Sequence, residues 1–125
     1  MPEQPYDGVA IIDDEQQLVR TYEMIFQRRQ IPVSFVAYDG PIALQRFREA
    51  SPPPGVVIID YRLPSMSGLV LMRAIRELDS GVKIVVISAD DSVRQEALDG
   101  GARSFLKKPV PLQVIVDTVR SLMAA

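Results

Sequence analysis

The chain has no cysteine and no histidine among its 125 residues. Without cysteine there is no disulfide framework and no thiol nucleophile. Without histidine as well, a zinc site of the usual kind and a serine-histidine couple are both excluded. Any chemistry therefore rests on Asp, Glu, Lys, Ser, Thr, Tyr or Arg. An excess of one charge is also lacking: 14 basic against 16 acidic residues leave a net charge of -2. No Lys/Arg block offers a footprint for a phosphate backbone, so neither nucleic acid nor a membrane surface is expected as a direct partner. No apolar stretch approaches the roughly 18 residues of a membrane span, and the opening MPEQPYDG is neither basic nor apolar enough for a signal peptide. The cytoplasm is the expected location.

What the chain does have is 47% hydrophobic residues, enough for a real core. Residues 1–125 are read as one domain, with its core over about 8–123. Short β-branched runs alternate with longer segments of helical period, the arrangement of βαβ units on a parallel sheet. Strands are expected at Val9 to Asp13, Val33 to Tyr38, Val56 to Asp60, Lys83 to Ser88 and Ser104 to Lys107. Runs such as Val56-Val57-Ile58-Ile59 suit strands covered on both faces. Helices are expected from about Glu15 to Arg29, Ile42 to Glu49, Gly68 to Leu78, Ser92 to Leu98 and from Pro111 onward. The first should bury Leu18, Tyr22, Ile25 and Phe26, and the last Leu112, Ile115, Val116, Val119 and Leu122. The triple proline Pro52-Pro53-Pro54 reads as a stiff connector into the third strand.

In a doubly wound sheet, right-handed crossovers bring the carboxyl ends of all strands to one edge, where ligands gather at the switch in strand order. Here those ends carry Asp13 and Asp14, Asp60, Ser88, and Lys107-Lys108. Asp39, ending the second strand, is set aside as a turn and helix cap before Gly40-Pro41. Three carboxylates against one ammonium leave the pocket at about -2, a deficit that a divalent cation would fill. Oxygen ligands without His or Cys select a hard ion, and magnesium is the expected one, with manganese as a substitute. Each residue also has an ordinary alternative: Asp14 as a helix cap with Gln17 completing a capping box, Asp60 capping the turn into Leu63-Pro64, Ser88 capping the fourth helix, and Lys108 as a solvated lysine.

The pieces "IIDDE", "IIDYRLPSMSG", "VVISA" and "GARSFLKKP" give this sequence a close resemblance to the receiver domain of two-component response regulators of the chemotaxis-regulator kind, over roughly Val9 to Met123. The resemblance implies a flavodoxin-like (βα)5 fold with strand order 2-1-3-4-5. It implies phosphorylation of Asp60 by a sensor histidine kinase, a phosphotransfer protein or a small phosphodonor, in a magnesium-dependent reaction. The chain would then be a signalling receiver that catalyses only its own phosphorylation and dephosphorylation. Asp13 and Asp14 would hold the metal together with Asp60 and the backbone carbonyl of Arg62. Ser88 and Lys108 would contact the phosphoryl group, and Lys107 would face solvent. Phe105 takes the place of a switch aromatic, and the Lys108-Pro109 bond would be cis.

Drawing Ser88 toward a phosphoryl group opens space into which the Phe105 ring can swing, changing the surface of the fourth helix, fifth strand and fifth helix. An output protein or fused output domain is expected there, and a homodimer is a further partner. A ring simply fixed in the core is the alternative. Arg62 and Asp90, each two residues past a site residue, are expected to pair at the mouth of the site and to modulate the phosphoryl lifetime.

Competing readings are a phosphorylation-independent interaction module, an aspartate-nucleophile phosphohydrolase and a flavodoxin-type cofactor binder. The hydrolase pattern needs an acid where Arg62 stands, and Arg62 cannot give up a proton at neutral pH. The cofactor binder needs a small-residue phosphate cradle where Asp-Asp-Glu stands. The chain ends soon after its last expected helix, which leaves open a stand-alone receiver or a receiver cut from a longer regulator.

Overall fold

The computed structural model describes residues 6–125. Five strands, β1 (Val9–Ile12), β2 (Val33–Ala37), β3 (Val56–Asp60), β4 (Lys83–Ser88) and β5 (Ser104–Lys107), form one sheet in the order β2-β1-β3-β4-β5. Every pairing is parallel, with Val9 to Ile12 of β1 in register against Val56 to Ile59 of β3. The helices are α1 (Gln16–Arg28), α2 (Gly40–Glu49), α3 (Gly68–Leu78), α4 (Arg94–Asp99) and α5 (Leu112–Ala124), with a short 3-10 turn at Asp91–Val93 before α4. This is the expected flavodoxin-like (βα)5 arrangement.

Alternate strand residues point to opposite faces, and the core divides accordingly. Val9, Ile11, Val56, Ile58, Val85 and Ile87 pack with α1 and α5. Ala10, Ile12, Val57, Ile59, Ile84 and Val86 pack with α2, α3 and α4. Both faces are covered, so the central strands are apolar throughout.

The helices differ from expectation in instructive places. The buried stripe of α1 is Val19, Tyr22 and Phe26, while Leu18 and Ile25 lie at its half-exposed margins. Leu112, in the first turn of α5, is exposed. α2 begins at Gly40, earlier than expected, because Asp39 caps it by accepting the Ile42 N–H at 2.8 Å and Pro41 fits the first turn. The fourth helical segment starts as a 3-10 turn because the Asp90 side chain accepts the Ser92 N–H and hydroxyl, a local bond that competes with a full α-turn. The Lys108-Pro109 peptide bond is cis, as is Ser51-Pro52.

Candidate functional site

The strand order reverses direction between β1 and β3, and the carboxyl ends of these two neighbours carry the acidic residues. Carboxylate oxygens of Asp13, Asp14 and Asp60 lie within 4.8 Å of one another. Asp13 and Asp60 are buried and Asp14 is exposed. An open cleft of about 630 Å³ above them is lined by Asp14, Glu15, Asp60, Arg62, Ser88, Asp90 and Lys108.

Backbone geometry fixes each member. Asp13 extends the ladder past β1 by donating its N–H to Ala37 O at 3.1 Å, and its Oδ1 accepts the Glu15 N–H at 2.9 Å. Asp14 is therefore not a helix cap. The residue at the start of α1 is Glu15, which makes no side-chain cap bond, and the turn is held by Asp13 instead. Asp60 is fixed from behind by close packing: a Cβ on Gly68, at the start of α3, would collide with the Asp60 carbonyl oxygen. Only glycine lets α3 begin this near the strand end. Ser88 is buried and its Oγ accepts the Asp90 N–H at 3.0 Å. The Lys108 N–H bonds to Ser88 O at 2.8 Å, which ties the β5 end to the β4 end.

The Lys108 ammonium reaches back across the site. Its Nζ is 2.9 Å from Asp13 Oδ2, 3.0 Å from Glu15 Oε1 and 3.6 Å from Asp60 Oδ1. It is no solvated lysine; Lys107, beside it, is the exposed one. Electrostatics show the strain of packing these charges. Burial, reinforced by the neighbouring Asp13 carboxylate, pushes Asp60 up to about 6. Burial also raises Asp13, against the opposing bonds from the Glu15 N–H and Lys108. For Lys108 burial alone disfavours the charged form, but the bonds to Asp13 and Glu15 outweigh it and its pKa rises. Oxygen donors, net negative charge and carboxylates that resist ionising together fit a hard dication such as Mg2+.

One sequence expectation is changed. Arg62 and Asp90 line the same cleft but form no ion pair among the described residues. The Asp90 carboxylate is engaged by Ser92, whose bonds hold it below the usual carboxylate range. The Phe105 ring sits in the core with Ala97, Ala102 and Met72, and the Arg94 guanidinium lies 4.7 Å from its centroid. The bond between Lys108 and Glu15 was not foreseen from the sequence. Its one signal is that Glu15 follows directly on the Asp13-Asp14 pair.

The family model for the response regulator receiver domain matches residues 9–120. The chain belongs to this family. Receivers are signalling modules of two-component systems rather than classical enzymes. This receiver is 32% identical over 117 residues to the transcriptional regulatory protein TrcR of Mycobacterium tuberculosis, a match that covers 92% of this chain and 44% of TrcR. It is 26% identical to the chemotaxis protein CheY of Treponema pallidum, over 95% of this chain and 83% of that protein. Among solved structures, CheY in the CheX-CheY-BeF3-Mg complex from Borrelia burgdorferi superposes with a TM-score of 0.87 at 26% identity, covering 94% of this chain and 89% of that one. The receiver thus spans less than half of TrcR but most of the chemotaxis proteins it matches. Its acidic pocket suits a phosphoaspartate with Mg2+. Among the described residues no helix is long and apolar enough to cross a membrane.

Proposed function

We propose that this receiver accepts a phosphoryl group on Asp60 from a sensor histidine kinase, a phosphotransfer protein or a small phosphodonor, and passes the signal to an output partner. The observation that carries this reading is the single cleft that brings Asp60 together with two carboxylates, a lysine ammonium and the buried Ser88.

In the transfer, one Asp60 carboxylate oxygen bonds to phosphorus while the bond from phosphorus to the donor breaks, and the donor leaves as imidazole or, from acetyl phosphate, as acetate. A carboxylate is a weak nucleophile, so positioning and charge stabilisation do most of the work. Asp13, Asp14, Asp60 and the Arg62 carbonyl would hold Mg2+, which would supply charge neutralisation for the transferring oxygens. Lys108 holds its ammonium 3.6 Å from Asp60 Oδ1, in place before the negative charge arrives. Ser88 accepts the Asp90 N–H through its oxygen, which leaves its own O–H to donate to a phosphoryl oxygen.

The new group brings about -1.5 to -2 charge to the end of β3. Drawing Ser88 toward it pulls on the 88–94 segment, whose Asp91 and Arg94 are bonded at 2.8 Å and whose Arg94 covers the Phe105 ring. The change reaches the face of α4, β5 and α5, where we place the output protein or fused output domain; a second receiver copy is a further occupant. We place the protein in the cytoplasm, where kinase, Mg2+ and phosphodonors meet.

Incubation with acetyl phosphate and Mg2+, followed by intact mass measurement, tests this reading. One added phosphoryl group that disappears with EDTA is expected, and an unchanged mass in both conditions would defeat it.

A further inference from the structure

The geometry points to Glu15 as a positioning residue: its carboxylate competes with a phosphoryl group on Asp60 for the Lys108 ammonium. This inference rests on the phosphoacceptor reading of the site and assigns a role to a residue which that reading leaves idle.

The Lys108 ammonium is held at 2.9 Å by Asp13 and at 3.0 Å by Glu15, whereas Asp60, at 3.6 Å, is beyond a good hydrogen bond. Two of its three N–H donors are engaged; the third can turn to a group on Asp60, but closing the 3.6 Å gap draws the nitrogen away from one of its present partners. The Lys108 backbone cannot follow, because its N–H is fixed to Ser88 O at 2.8 Å, so the adjustment falls on the side chain. Of its two partners, Asp13 is buried and pinned by the Glu15 N–H through its other oxygen. Glu15 has a side chain 62% exposed and no other bond among the described residues. The bond that yields is therefore the one to Glu15.

The consequence is a resting state that taxes the phosphorylated one. Every phosphoryl group bound at Asp60 gains the lysine only at the expense of an exposed ion pair, and such pairs are weak, so the tax is at most about fivefold in affinity. Glu15 contributes no cap bond to α1, and Glu15→Gln keeps its shape while removing its charge. The substitution should leave the fold untouched.

The test is a double-mutant cycle with beryllofluoride as the probe at saturating Mg2+, its affinity read from chemical-shift changes of site amides. Glu15→Gln should bind beryllofluoride about two- to fivefold more tightly than the parent. In a Lys108→Gln background the same Glu15→Gln change should have no effect, because there is no ammonium left to compete for. Tighter binding that persists in the Lys108→Gln background would mean a general charge effect and would overturn the role of Glu15, as would unchanged affinity in the single variant. A parent that binds no beryllofluoride would overturn the phosphoacceptor reading itself, and the role with it.

Discussion

Asp60→Asn should make the metal-free protein more stable, although it removes the proposed acceptor. Asp60 is raised from an ordinary 3.8 to about 6, chiefly by burial and next by Asp13. A carboxyl whose folded pKa is raised favours its neutral form in the folded state. Its stabilising contribution is complete below about 3.8 and is lost as pH rises through about 6. At about 1.4 kcal/mol per pH unit, the rise corresponds to about 3 kcal/mol of stability missing from the parent at neutral pH. The attraction of Lys108 at 3.6 Å already opposes this rise, so it needs no separate subtraction. The amide keeps the shape of the side chain and cannot ionise. Thermal unfolding followed by circular dichroism at about pH 8 in EDTA should show D60N melting about 12 °C above the parent, at about 4 °C per kcal/mol for a domain of this size. The advantage should vanish near pH 4. It should also shrink with saturating Mg2+, which stabilises the parent by binding its folded state. A variant no more stable than the parent in EDTA would refute the claim that burial, reinforced by Asp13, makes ionised Asp60 costly to the fold.

Asp14→Asn changes an exposed side chain, so unfolding free energy should stay within about 0.5 kcal/mol of the parent while calorimetric Mg2+ affinity falls about tenfold or more. Phe105→Ala empties a ring position only 5% exposed and should cost about 3–5 kcal/mol by urea unfolding; a loss under about 1 kcal/mol would mean that the ring does not rest in the core. Gly68→Ala forces a methyl against the Asp60 carbonyl and should destabilise by about 1–3 kcal/mol, with the Asp60 amide resonance displaced. Lys108→Gln removes the ammonium that favours ionised Asp13 and Asp60, so carboxyl resonances of both should titrate at higher pH than in the parent.

The sheet and its polar edge were legible because both depend on local pattern. Continuous apolar runs marked the strands, and the residues ending those runs fell on one edge once parallel topology was granted. Features set by the packing angle or by competition among neighbours were not legible. Leu18 and Val19 both sit at helical spacing from Phe26, and only the angle of α1 against the sheet decides that Val19 is buried. Leu112 has the right period, yet it stands in the first turn of α5 and remains exposed. Asp14 carried a plausible capping pattern, but Glu15 stands at the cap position and Asp13 holds the turn by accepting the Glu15 N–H. Arg62 and Asp90 do reach the same cleft, but Ser92 satisfies Asp90 two residues away, and a local bond outcompetes a distant exposed ion pair. The bond from Lys108 to Glu15 joins residues far apart in the chain, and its one sequence signal is that Glu15 follows directly on Asp13-Asp14.

The measurement that tests the central claim most directly is to locate the phosphoryl group. After incubation with acetyl phosphate and Mg2+, borohydride reduction converts an aspartyl phosphate to homoserine, which peptide mass spectrometry can place. Homoserine should appear at position 60 in the parent and nowhere in Asp60→Asn. Homoserine at another aspartate of the parent, or none at all, would contradict the account.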